Sequence, residues 1–156
     1  MNILEIIAQE ENALKAKRNI EETALKSKAE ILLPFAMQIF DFLEIINNSP
    51  DFLFSQDAHP SEDSWTPLFN PNFCDFDFHK EKVKEEIQEK GCGSFLTRKF
   101  SYGSRSNYIK FLITEDFKPF LRFSHDCFDK ECEDYFSVED AVRGLTKFFL
   151  ENRKKL

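Results

Sequence analysis

Glycine is scarce in this chain of 156 residues, with four in all, at positions 91, 93, 103 and 144. No phosphate-cradling loop can be built from them, which excludes P-loop hydrolysis and Rossmann-type dinucleotide binding. No G-x-S-x-G stretch presents a serine nucleophile. Long apolar runs are missing too. The densest, residues 31–46, is interrupted by Gln38, Asp41 and Glu44 and falls short of the roughly 20 residues a membrane span needs, so a water-soluble protein is expected. The N-terminus MNILEIIAQEEN turns acidic within five residues, unlike a secretion leader. The four cysteines, Cys74, Cys92, Cys127 and Cys132, are therefore expected as free thiols in a reducing cytoplasm.

Aromatic residues with a polar handle are few, three tyrosines and one tryptophan, against nineteen phenylalanines. So many purely apolar rings must be buried or form a sticky surface. A chain of this length can bury a core without disulfides or metals, and its mixture of hydrophobic (42%) and charged (31%) residues is that of a globular domain. The net charge of −7 is unevenly placed: residues 51–78 and 126–140 each carry −6, whereas 79–125 carry +4. Acidic connections thus flank a basic block.

The elements predicted from periodicity give an α+β fold: a long N-terminal helix, a buried second helix, then a helix, a three-stranded antiparallel sheet and a C-terminal helix. Asn2 and Glu5 have the spacing of a capping box, and residues 3–33 contain no glycine or proline. Ile6, Ala13, Ile20, Ala24 and Ile31 recur at sevens and fours, but Glu10, Lys17 and Lys28 interrupt the stripe. So thin a stripe does not suit the core of a monomer. Pro34 then predicts a boundary at residue 33, dividing an N-terminal helical extension (1–33) from a single α+β domain (34–156).

From Phe35 to Ile46 nearly every residue is apolar except a narrow line through Gln38, Asp41, Glu44 and Asn48, the mark of a helix buried on most sides. Residues 51–78 hold seven large aromatics and no lysine or arginine, which predicts an irregular loop clamped to the core by its rings, with a short strand near Phe73–Phe78. Helical spacing returns over residues 79–90 through Val83 and Ile87, and Gly91 ends it.

Three strands are predicted between Phe95 and Ser124. Leu96, Phe100 and Tyr102, then Ile109, Phe111 and Ile113, then Leu121 and Phe123 would form the inward face. Ser137 and Asp140 cap a last helix whose inward stripe is Val138, Ala141, Val142, Leu145, Phe148 and Phe149.

Candidate chemistry is thin. The stretch FSHDCFDKECED (123–134) offers His125, Cys127 and Cys132, with Cys92 further off, but the H-x-C and C-x4-C spacings do not match paired zinc ligands, and its acids lack the DxDxDG calcium pattern. A solvated turn is expected there, and no metal or other cofactor. A Cys–His nucleophile pair would need one of the four cysteines to meet His59, His79 or His125 in space with an orienting acid behind it, and chance co-occurrence is the expected reading. The adjacent carboxylates Glu62–Asp63, Glu115–Asp116 and Glu139–Asp140 sit in polar stretches where water keeps their pKa values low. No catalytic residue is assigned, and a non-enzymatic protein is expected.

The expected function is therefore interaction with another protein. Ile3, Ile6, Ile7, Ala13, Ile20 and Ala24 form the candidate self-association face of a homo-oligomer. Glu62, Asp63, Asp75, Asp77, Asp129, Glu131, Glu133 and Asp134 form a candidate acidic surface for a partner with a basic one. Small acidic adaptors and inhibitors, including those of mobile genetic elements, share this composition.

The alternative is a nucleic-acid-binding domain that uses Lys99, Tyr108, Lys110, Phe120 and Arg122 on the outer sheet face, where cations and stacking rings alternate. The helix–strand–strand–strand–helix order of residues 79–152 is similar to the topology of double-stranded RNA-binding domains. However, the last helix opens SVEDAVRG, acidic where that family places lysines, so none of the family's residues is carried over.

Overall fold

A computed structural model describes residues 2–49, 53–55, 65–67, 76–96, 107–124 and 129–152. The chain runs through helix α1 (Ile3–Asn48), a small antiparallel pair β1 (Leu53–Ser55) and β2 (Trp65–Pro67), helix α2 (Phe76–Lys90), strands β3 (Gly93–Leu96), β4 (Tyr108–Ile113), β5 (Pro119–Ser124) and β6 (Cys132–Tyr135), and helix α3 (Val138–Asn152). The class is α+β, as the hydrophobic periodicities imply.

Two expected helices are one rod of 46 residues. Pro34 lacks an N–H to donate to the carbonyl four residues back, an interior cost of about 3 kcal/mol. The helix nevertheless runs through because Leu32, Phe35 and Ala36, on either side of the proline, are buried together in the core. Pro34 and Glu30 both lie on the exposed side, so the carbonyl left without a helix donor faces water. The boundary predicted at residue 33 is therefore absent from the helix. At the start of the rod, Asn2 caps the helix by accepting a 2.7 Å hydrogen bond from the N–H of Leu4.

The four strands β3–β4–β5–β6 pair antiparallel in sequence order, one more than expected. The added strand, β6, comes from CEDY at the end of the stretch read as a solvated turn, and pairs Leu121 with Tyr135 and Ser124 with Cys132. Residues 125–128, which include His125 and Cys127, lie outside the described residues. In β3 Phe95, paired with Ile109, is buried, whereas the expected inward face ran through the alternate position Leu96; Phe100 and Tyr102 lie outside the described residues. Ile109, Phe111, Leu121 and Phe123 are all buried as expected, Ile113 is half-buried, and β5 also buries Phe120 and Ser124 on its other face.

All three helices cover that inward face. α1 contacts the central strands β4 and β5, α2 packs beside β3, and α3 packs beside β6, giving a two-layer arrangement. Phe40 is the hub: its ring centroid lies 5.7 Å from Phe76, 5.3 Å from Phe95 and 5.7 Å from Phe111. A second group joins Phe123 to Phe148 at 4.7 Å and Phe148 to Phe149 at 6.0 Å. Phenylalanine without a hydroxyl suits this interior, since no phenol or indole needs a buried partner.

Phe76 belongs to the first turn of α2 rather than to a strand, and it is the described ring of the aromatic segment that is buried. Gly91 ends α2 as expected, at φ +74° with its N–H donated to the Ile87 carbonyl at 2.9 Å. Ser137 caps α3 by accepting from the N–H of Asp140 at 3.1 Å.

Candidate functional site

Burial in α1 changes sharply along its length. Every residue from Asn2 to Thr23 is exposed, whereas Leu32, Ala36, Ile39, Phe40 and Leu43 are completely buried. The domain meets the rod near Leu25 and Lys28, where Gly91 at the end of α2 approaches both side chains. About 22 residues therefore extend past the domain, roughly 33 Å of helix at 1.5 Å per residue.

Large aliphatic side chains lie on this extension: Ile3 is 74% exposed, Ile6 43%, Ile7 48%, Leu14 53% and Ile20 71%. Ala13 is exposed and Ala24 half-buried. Leu14 was not among the candidate residues, although its spacing of seven from Ile7 places it on the same stripe.

Ile3, Ile7 and Leu14 continue the face that the same helix buries, whereas Ile20, five turns from the exposed Gln38, lies beside that face. Ile3 and Ile39 are 36 residues apart, as are Ile7 and Leu43, which is ten turns of ideal helix; Leu14 and Leu32 are five turns apart. Glu10 and Lys17 occupy the same line, at positions equivalent to the buried Ile46 and Phe35. By the same spacing Glu11, Arg18, Glu21 and Glu22 fall at positions equivalent to the buried Ala29, Ala36, Ile39 and Phe40, so the extension's core-equivalent side carries six charges, Glu10 and Lys17 among them.

The outer sheet face differs from the basic platform expected of it. Lys110, Arg122 and Asp134 lie in register across β4, β5 and β6. Arg122 grips Asp134 through two parallel hydrogen bonds, 2.8 Å from Nε and 3.0 Å from Nη2, and its Nη1 lies 3.6 Å from Asp129. Lys110 donates to Asp129 at 2.7 Å. Asp129 takes a left-handed backbone, φ 56°, which aspartate tolerates better than most residues.

Electrostatics follow this geometry. Lys110's hydrogen bond holds the Asp129 carboxyl below the usual carboxylate range, and the bond to Asp134 raises the pKa of Arg122. Two cations and two anions make the cluster neutral. Phe120 is buried under Phe136, the rings stacked at 4.9 Å, with the Arg122 guanidinium 5.5 Å from its centroid.

Two candidate acidic-surface residues, Asp129 and Asp134, therefore pair with two candidate nucleic-acid residues, Lys110 and Arg122. Of the others, Asp77 is exposed in the first turn of α2, Glu131 and Glu133 are exposed beside β6, and Glu133 accepts a hydrogen bond from the Tyr135 hydroxyl. Tyr108 is half-buried. Glu62, Asp63, Asp75 and Lys99 lie outside the described residues.

An open groove of about 440 Å³ lies where α1 meets Gln88 of α2, with Leu25, Ala29 and Leu33 among its walls. Its described lining residues include Glu22, Lys26 and Glu30 but no histidine, cysteine, serine or tyrosine. Among the described residues no three His, Cys, Asp or Glu side chains gather as metal ligands, and no helix is long and apolar enough to cross a membrane. Cys92 and Cys132 are free thiols.

Compared with protein families, curated proteins and solved structures, the chain matches none.

Proposed function

We propose that this is a non-enzymatic interaction protein that self-associates through the exposed half of α1, presenting its α+β domain to a further protein partner. The observation carrying this reading is the run of exposed isoleucines and leucine on a helix whose other half is buried by the same face. Water gains little from solvating such side chains, and burying each contributes about 1.5–3 kcal/mol. Most helical stability in proteins comes from packing of an amphipathic face; the packed second half of α1 nucleates the extension, and a partner along the stripe would stabilise it further.

Asp129 and Asp134 pair with Lys110 and Arg122, and a basic partner would be met by acids that are exposed, such as Asp77, Glu131 and Glu133. The same pairing weighs against the nucleic-acid alternative. A phosphate approaching Lys110 or Arg122 would have to displace a carboxylate already hydrogen-bonded there, and Phe120 is covered by Phe136 rather than offered to a base.

Light scattering of the whole chain over a wide concentration range tests the reading. The expected mass rises above the 18.4 kDa of one chain toward a multiple of it, and Ile7→Glu combined with Ile20→Glu returns it to one chain without loss of helix. A mass of one chain at every concentration would remove the self-association reading.

A further inference from the structure

Resting on that self-association, we infer that the occupant of the exposed stripe is a second copy of the same helix running antiparallel, centred near Ala13 and Leu14 and overlapping over residues 3–24. Three observations lead there.

The first is one pair of opposite charges on the exposed face. Glu10 and Lys17 are seven residues apart, about two turns, at positions where the buried half of α1 carries Ile46 and Phe35. A parallel pair would set Glu10 against Glu10 and Lys17 against Lys17, leaving two like-charge contacts in the seam. In an antiparallel pair centred at 13–14, Glu10 lies opposite Lys17 of the second copy, and the contact occurs twice by symmetry. A shift of register by three residues still keeps the two within one turn, inside the reach of a lysine. Polar residues set into such a seam select orientation and partner at some cost in stability.

The second is the polarity of charge along the rod. Residues 2–14 contain Glu5, Glu10 and Glu11 and no lysine or arginine. Within the overlap, residues 15–24 contain Lys15, Lys17 and Arg18 against Glu21 and Glu22, net +1 against −3. Antiparallel pairing lays the acidic end of each copy on the basic end of the other, whereas parallel pairing superimposes like on like. The helix dipoles also oppose one another in the antiparallel arrangement.

The third is where the domain begins. Overlap over 3–24 uses the exposed extension and stops at Leu25 and Lys28, where Gly91 packs on the rod. The apolar partners are then reciprocal: Ile7 faces Ile20, Ala13 faces Leu14, and Ile3 faces Ala24. The two α+β domains stand at opposite ends.

Charge reversal distinguishes orientation from association. Glu10→Lys changes both Glu–Lys contacts of an antiparallel dimer into Lys–Lys contacts and is expected to raise the dimer dissociation constant on the order of tenfold or more. Lys17→Glu should do the same, and the double variant Glu10→Lys with Lys17→Glu should restore wild-type affinity. In a parallel dimer the single reversal exchanges one like-charge contact for another and leaves affinity unchanged. Pyrene attached selectively at the terminal amine supplies an independent readout. N-termini about 37 Å apart along the axis give no excimer emission, whereas parallel chains bring them together. A stable dimer that is indifferent to Glu10→Lys, or one with strong excimer emission, overturns the antiparallel arrangement while self-association stands. A monomeric wild-type chain overturns both.

Discussion

Arg122 and Asp134 face one another across β5 and β6, joined by two parallel hydrogen bonds of 2.8 and 3.0 Å. The side chains are 28% and 30% exposed, neither buried deeply enough to carry a severe desolvation cost nor free enough to be wholly screened. With Lys110 and Asp129 they turn a face expected to be basic into a neutral lattice that ties β6 and the residues before it to the sheet.

The pH dependence of stability should report this lattice. Asp129's pKa is depressed in the folded protein by Lys110, so its contribution is fully present above the unfolded value near 3.9 and is lost as pH falls through the folded one. Asp129→Asn, which keeps the shape and tolerates the left-handed backbone, should be less stable than wild type at neutral pH. The gap should narrow below about pH 4. Urea unfolding of both proteins at neutral and acid pH gives the comparison; a gap independent of pH would mean that the charge on Asp129 contributes nothing.

Phe40→Ala should be the most damaging of single truncations, because it removes the ring that joins Phe76, Phe95 and Phe111 and leaves a cavity under α1. A loss of about 3–5 kcal/mol is expected, read from the urea midpoint at unchanged slope. A loss below about 1 kcal/mol would place the core elsewhere.

Gly144 lies within α3, where alanine would ordinarily stabilise by about 1 kcal/mol. Here a Cβ would enter the space of the Tyr135 ring, 2.6 Å from its Cε1. Gly144→Ala should therefore destabilise by about 1–2 kcal/mol, with Tyr135→Ala in the same chain relieving the clash. A rise in melting temperature for the single variant would contradict this close approach of α3 to β6.

Pro34→Ala should raise stability by about 1–3 kcal/mol, since the position is exposed and the alanine N–H restores a bond to the Glu30 carbonyl. The measurement is a calorimetric melt. Lower stability would indicate that the proline's ring contributes to the helix in a way its exposed placement does not suggest.

Helix periodicity, the caps at Asn2 and Ser137, the stop at Gly91 and the inward residues of β4 and β5 were all readable from the sequence, because each depends on spacing within a few residues. The exposed stripe was readable for the same reason, Leu14 excepted. Pro34 misleads when read locally: its cost is set by the bare helix, whereas the continuity of α1 is set by Leu32, Phe35 and Ala36 packing on a sheet far along the chain.

By itself, then, the sequence determined which segments are amphipathic, which face of each is apolar, and that the first part of the rod is too poorly furnished for a core. Tertiary structure alone decided that CEDY becomes a strand, since four polar or half-polar residues have no reason to extend until β5 offers its backbone edge. It alone decided that the acids of that stretch neutralise Lys110 and Arg122. Charge pairing depends on distance in space, and neither composition nor spacing along the chain encodes which opposite charges the sheet register will bring within 3 Å of each other.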